Sequence, residues 1–438
     1  MTGLLTDLYQ LTMAAGYFEA GKTAEVATFE LSIRRLPKNR CYVLAAGLAQ
    51  AVDYLLNLGF SGEDIEYLRG LPQFARASKE FFEKLAAFRF TGDLFAAPEG
   101  TPLFSGEPIL TVRAPIIEAQ IPETYLLAAI TFQTLVASKA SRIVSAARGR
   151  SVVEFGTRRA HTPEAGVLAA RAAYIGGCLG TSNVLAGKRF GIPVFGTAAH
   201  SWVMSFASEK EAYRQLQKLL GPATVQLVDT YDSLQGVRRA AGLGPPLWGI
   251  RLDSGDLLSL SKAAREILDN AGLREAKVMA SGDLNEQLIA ALAENAAPID
   301  SFGVGTEIVT SADAPFMGAV YKLVELDVGG IKRFTAKRSA DKHTLPGAKQ
   351  IFRTPERDVL ARSGECCVEN SEALLRPVIL NGRLVEPLPD VHAARRHAEA
   401  SLDCLLPELR RLDTEDTRKV EYSRELEQLI ESTRGIDA

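Results

Sequence analysis

Over the first 120 residues the apolar positions switch between strand and helix periods. Residues 23–33 (TAEVATFELSI) alternate as a strand does, with β-branched and aromatic side chains. Residues 42–58 show the three- and four-residue spacing of a helix that ends at Gly59. Ser61 opens a short helix with Asp64 in the capping-box position. Residues 79–88 are again amphipathic, and short strands broken by Gly and Pro fill 92–115. Residues 122–147, rich in Ala, Leu and Ile, predict a long helix buried on most faces.

After Arg148-Gly149-Arg150 the pattern changes. Short apolar strands are expected to begin at Val152, Val194, Val225, Leu247, Lys277, Ile299 and about Val320. Helical segments at 208–220, 233–241, 259–271 and 285–296 separate most of them. Steps of roughly 22–30 residues are what a parallel βα series requires. About seven strands over some 175 residues point to an irregular (β/α) barrel, and an open doubly wound sheet is the alternative. The rhythm stops near residue 330. Asn381-Gly382, between 376–380 and 383–386, signals a hairpin with a type I′ turn, and residues 391–438 are charged and helical. The fold class expected is α/β, with a mixed α+β N-terminal domain (1–120), a catalytic α/β domain (121–330) and a cap (331–438) packing on the first.

Composition narrows the function classes. The 438 residues are 47% apolar and 24% charged, enough apolar material for a large core, and the formal charge is −3. That balance argues against nucleic acid as a partner. No run approaches the roughly 18 uninterrupted apolar residues of a membrane span. Five cysteines, Cys366 and Cys367 adjacent, make no disulfide framework and fit a reducing cytoplasm. Cys366, Cys367, Cys404, His392 and His397 have no zinc-ligand spacing. Trp202 and Trp248 read as core residues.

The chemistry concentrates at strand ends. WGIRLDSGDL (248–257), VMASGDLNE (278–286) and SFGVGTEIVT (301–310) each run from a strand into a Gly/Asp/Ser/Thr turn. The first two continue as amphipathic helices. Such turns leave backbone N–H groups free at a helix N-terminus, where an anion is favoured. Gly303, Gly305 and Thr306 fit a phosphate cradle with Gly282 and Asp283. Asp253, Ser254, Asp256 and Asp283 are short polar groups suited to ribose hydroxyls or to magnesium carried on a pyrophosphate; helix capping is the other role open to them. EFGTRRAH (154–161) sets Phe155 beside Arg158 and Arg159, a pairing that suits a flat anionic ring, though a surface ion pair would use the same arginines. His200 follows a strand and a Gly-Thr turn in PVFGTAAHSWVMSF (193–206); it is either a nucleophile or proton carrier, or a hydrogen-bonded histidine near a helix start.

Together these segments closely resemble the nicotinate phosphoribosyltransferase family. TDLYQLTMAAGYF (6–18), FELSIRRLP (29–37), EFGTRRAH, GTSNVLAGKRFGIPVFGTAAHSWV (180–203), IRLDSGDL, SGDLNE, FGVGTEIVTS, YKLVEL (321–326) and FTAKRSADKHTLPGAKQIFR (334–353) carry the match in order. The resemblance implies transfer of phosphoribose from 5-phosphoribosyl 1-pyrophosphate to nicotinate, the entry step of NAD salvage. It implies ATP as co-substrate, Mg2+ with the pyrophosphate and ATP, and a transient phosphohistidine at His200. It also implies an irregular barrel and a homodimer with active sites at the interface. Carried over by position, Phe155, Arg158, Thr197, Arg251 and Tyr9 would hold nicotinate, Tyr9 reaching in from the neighbouring subunit. Asp253 would sit near the ribose. Gly282, Asp283, Gly303, Gly305 and Thr306 would surround the phosphates. With His200, Arg251 and Asp253 make the catalytic set.

Rival readings remain. In the nicotinamide phosphoribosyltransferase family an aspartate stands at about the position of Ser182. A serine there favours an anionic ring, which a carboxylate would repel. The quinolinate enzyme is shorter and lacks the histidine. A sugar-phosphate isomerase or aldolase barrel would share the cradle but have no use for Phe155 and Arg158. A silent sensor of NAD precursors is a third reading, which the intact His200, Asp253 and Asp283 argue against.

Overall fold

The computed structural model describes residues 2–339, 342–366, 369–413 and 418–434, so Cys367 lies outside the described residues. The chain forms two compact units: one from 1–135, 316–389 and 396–438, the other from 136–315 with 390–395.

The first unit is built on a seven-stranded sheet. Its longest N-terminal strand, Val26–Arg35, pairs antiparallel with Pro108–Pro115 on one side and Gly318–Val328 on the other. The strand expected near Val320 therefore belongs to this sheet and not to the parallel series, because its partner is the N-terminal strand. Leu31, Ile33, Leu94, Leu110 and Val112 from these strands are fully buried. Arg376–Leu380 and Arg383–Leu384 extend the same sheet through Asp93–Ala96, and Asn381 and Gly382 take φ of 50° and 72° between them, as their sequence foretells. Ser61 and Asp64 form the expected capping box.

Residues 42–58 are not one helix. Val43–Leu44 pairs with Pro102–Leu103, and the helix starts only at Leu48. Gly47 explains the break: its φ is +100°, and a Cβ there would lie 2.9 Å from the Ala129 carbonyl oxygen. The tail also holds a strand, Lys419–Tyr422, parallel to Arg357–Arg362. The long helix, Glu123–Ala146, is as expected and mostly buried. Among the described residues no helix is long and apolar enough to cross a membrane.

The second unit holds a six-stranded sheet in which every pairing is parallel. Its order is Gly180–Thr181, Ser151–Glu154, Ser301–Val304, Lys277–Ser281, Gly249–Leu252, Val225–Leu227. Val194 makes a single parallel bridge to Thr181 instead of opening a strand, and the two-residue strand at 180–181 carries no sequence signal of its own. Ile250, Leu252, Val278, Ala280, Phe302 and Val304 are fully buried on one face, and Met279, Ser281 and Ser301 are buried on the other, so both sheet faces are covered, as parallel sheets require. Helices Glu209–Leu220, Ser233–Ala241, Leu257–Asn270 and Glu286–Glu294 follow the expected segments. Trp248 is 39% exposed, not core: it stands just outside the Gly249–Leu252 strand.

Candidate active site

Parallel strands aim their carboxyl ends one way, so residues that follow each strand collect at one edge. Arg251 organises that edge. It lies within its strand, half-buried, and its guanidinium spreads across neighbouring turns. Nε donates to Ser281 Oγ at 2.7 Å, Nη1 to Thr197 Oγ1 at 3.0 Å and Nη2 to Asp253 Oδ1 at 2.6 Å. Its Cζ sits 5.6 Å from the centre of the Phe155 ring. One side chain thus joins the turns after four strands or bridges.

Asp253 is the second hub. Its Oδ1 also accepts from Ser281 Oγ at 2.5 Å, and its Oδ2 is 3.6 Å from His200 Nε2. The other ring nitrogen, Nδ1, lies 3.2 Å from Thr230 Oγ1. His200 begins the short helix His200–Met204 and keeps 42% of its side chain exposed. Burial pushes the Asp253 carboxyl upward. The Ser281 hydroxyl, the Arg251 guanidinium and His200 outweigh that and hold it below the usual aspartate range. Stability from this carboxylate is therefore complete above the ordinary aspartate pKa of about 4 and disappears as pH falls through its depressed native value. In thermal melts, the Tm gap between the native protein and Asp253→Asn should be widest near neutrality and shrink on acidification. A gap independent of pH would contradict this.

Asp229, which follows Val225–Leu227, was not singled out in the sequence. Its Oδ2 accepts from the Asp253 backbone N–H at 3.0 Å and from Ser254 Oγ at 2.6 Å. Its Oδ1 is buried with no hydrogen-bond partner among the described residues. Its neighbour Thr230 holds His200. The signal was available in LVDTYD, an apolar strand running into Asp-Thr like the other junctions. Ser281 and Glu154 were missed too. Glu154 is fully buried; Thr181 Oγ1 donates to its Oε2 at 2.6 Å, the Gly156 N–H donates to its Oε1, and its backbone oxygen accepts from Ser182 N at 2.9 Å. Burial raises the Glu154 carboxyl against those bonds.

The glycines fit close approaches. At Gly282 φ is +93° and a Cβ would strike the Asp253 carbonyl; at Gly303 it would strike the Phe155 ring. Gly305 caps the short helix Thr306–Val309, and a Cβ there would be 3.2 Å from the Phe155 carbonyl oxygen. Asp283 takes φ +47°, is exposed, and makes no hydrogen bond to the Arg251 network. Asp256 is a helix cap, accepting from Leu258 N at 3.2 Å and Ser259 N at 3.3 Å. Arg158 and Arg159 stand exposed just past Phe155. Tyr9 belongs to the first unit, on helix Leu8–Glu19, 49% exposed. The sequence-predicted His200, Arg251, Asp253, Thr197 and Phe155 are thus brought together.

Known proteins match most of the chain. Residues 4–131 match the nicotinate phosphoribosyltransferase N-terminal domain, 136–315 the quinolinate phosphoribosyl transferase C-terminal domain, and 348–430 the nicotinate phosphoribosyltransferase C-terminal domain. The nicotinate phosphoribosyltransferase pncB2 of Mycobacterium tuberculosis is 47% identical over 422 residues, 94% of this chain and 89% of that protein. The nicotinate phosphoribosyltransferase of Bacillus subtilis is 45% identical over 359 residues, 80% of this chain and 72% of its own. The crystal structure of human nicotinic acid phosphoribosyltransferase superposes with a TM-score of 0.82 at 31% identity, covering 98% of this chain and 99% of that one. Both flanking segments and full-length relatives agree, and the chain belongs to the nicotinate phosphoribosyltransferase family.

Proposed function

We propose that this protein joins nicotinate to the ribose of 5-phosphoribosyl 1-pyrophosphate, giving nicotinate mononucleotide and pyrophosphate, with ATP hydrolysed through a phosphohistidine at His200. The convergence of Arg251, Phe155, Asp253 and His200 on one strand edge carries this reading. The pyridine ring packs on Phe155, with Arg251, Arg158 and Thr197 available to its carboxylate. Ser182 offers a hydroxyl where a carboxylate would repel that anion. The pyridine nitrogen attacks C1 of the ribose as the C1–oxygen bond to pyrophosphate breaks, and pyrophosphate leaves with the electron pair. Asp253, kept ionised, faces the cation-like centre that develops at C1. Backbone N–H groups at Gly282–Asp283 and Gly303–Thr306 receive the phosphates.

The ATP step uses the histidine's two distinct nitrogens. With its proton on Nδ1, donated to Thr230, the neutral imidazole attacks the γ-phosphorus through the Nε2 lone pair as ADP departs, and Asp253, 3.6 Å from Nε2, offsets the positive charge the ring gains. Water later takes the phosphoryl group as inorganic phosphate. Phosphorylation tightens pyrophosphate-substrate binding and its loss releases product. Magnesium suits the donors present: Asp229, with an unpartnered buried oxygen, and Asp253 and Ser254 offer few hard oxygen ligands, as befits an ion that keeps waters and binds substrate phosphates. Bound there, it would neutralise the leaving pyrophosphate.

We read the parallel sheet as the wall of an irregular barrel. Ser301–Val304, last of the series, pairs with Ser151–Glu154, the first, as a closing barrel demands. A homodimer with active sites at its interface accounts for the exposed apolar stripe of Leu8, Tyr9 and Met13, with Tyr9 stacking on the base of the neighbouring site. The test is to incubate pure protein with phosphoribosyl pyrophosphate, magnesium and either nicotinate or nicotinamide, with and without ATP. Mononucleotide is expected from nicotinate, faster with ATP; product from nicotinamide alone would overturn the substrate assignment.

A further inference from the structure

We propose that Lys139 is a positioning residue for the phosphoribosyl pyrophosphate site, holding its two phosphate-binding turns in register; this rests on the transferase reading above. Lys139 lies on the Glu123–Ala146 helix with 1% of its side chain exposed. Its Nζ is 2.6 Å from Glu286 Oε2, 2.9 Å from Glu307 Oε2 and 3.0 Å from Asp313 Oδ1. An ammonium has three protons, and here each meets a carboxylate from a different segment.

Two of those segments are the proposed cradles. Glu286 is the first residue of the helix capped by Asn285, three positions after Asp283. Glu307 directly follows Thr306 in the helix capped by Gly305. The ammonium therefore ties the start of one cradle's helix to the start of the other's. Arg142 Nε holds the second oxygen of Glu286 at 3.2 Å, which fixes that carboxylate from both sides.

A buried ion cluster is a poor choice for stability alone, since apolar side chains of the same volume pack there at lower desolvation cost. What it supplies is geometry. It also offsets charge: Lys139 and Arg142 counter two of the three carboxylates, next to turns that must accept a phosphate dianion. Without the lysine, the carboxylates repel one another and the phosphate. Nicotinate, held by Phe155 and Arg251, is outside this effect.

The test compares steady-state kinetics of Lys139→Met, Glu307→Gln and Asp313→Asn with the native enzyme. Glu307 and Asp313 keep 27% and 31% of their side chains exposed, so these two variants should fold even where Lys139→Met does not. The expected result is a rise of about tenfold in KM for phosphoribosyl pyrophosphate in Lys139→Met, and a smaller rise in the other two, with KM for nicotinate within about twofold. An unchanged phosphoribosyl pyrophosphate KM in the folded variants, or equal rises for both substrates, would overturn the assignment. Native enzyme that makes no mononucleotide in the same assay would instead sink the transferase reading.

Discussion

Replacing Arg251 by alanine is expected to lower kcat/KM for nicotinate by about a thousandfold. Three of its donors go to Ser281, Thr197 and Asp253, and its plane lies near the Phe155 ring. On the proposed reading, the substitution removes the cation offered to the nicotinate carboxylate. It also leaves Asp253 without its cationic partner, in a half-buried place where an uncompensated charge is costly. Arg251→Lys should recover little, because a single ammonium cannot reach three partners in the directions a guanidinium fork covers. Kinetics with melting curves taken alongside decide the matter: a folded Arg251→Ala variant retaining more than a tenth of native kcat/KM would refute the role.

His200→Ala should abolish acid-labile labelling of the protein from γ-labelled ATP, and with it the acceleration by ATP. The ATP-independent reaction should survive at a reduced rate, since Arg251, Phe155 and the phosphate turns are untouched. The geometry behind this is the Thr230 contact at Nδ1, 3.2 Å, and the 42% exposure that lets a triphosphate reach the ring. Thr230→Val offers a second reading of the same step. It removes the hydroxyl that contacts Nδ1 and should slow labelling without eliminating it. Label that persists undiminished in His200→Ala would place the phosphoryl group elsewhere.

The sequence made much of this site legible because parallel strands leave a local mark. An apolar run followed by Gly, Asp, Ser or Thr identifies a strand tip without knowledge of its neighbours, and Arg251, Asp253, Gly282 and Gly305 all lie in such runs. What it could not express was the pairing. Ser281, the last residue of its strand, bridges Arg251 and Asp253 from the neighbouring strand, a contact that no local pattern carries. Asp229 was overlooked although it sits in the same kind of junction, because its partner, the Asp253 backbone, comes from the next strand along. Period failed where a single glycine broke it, as at Gly47. It failed again where a strand of normal appearance, Gly318–Val328, found its partner in Val26–Arg35 at the opposite end of the sequence.

That last pairing sets the order in which the polypeptide can mature. A chain emerging from the ribosome exposes Val26–Arg35 and its neighbour Pro108–Pro115 early, but the other flank of the sheet arrives only after the whole of 136–315 has been made. During that interval the naked edge is open to intruding strands. The continuous central segment supplies all six strands of its own sheet and can form that sheet first, with residues 390–395 joining its unit only later. Vectorial synthesis thus favours forming the parallel sheet before the sheet that begins the chain can be closed.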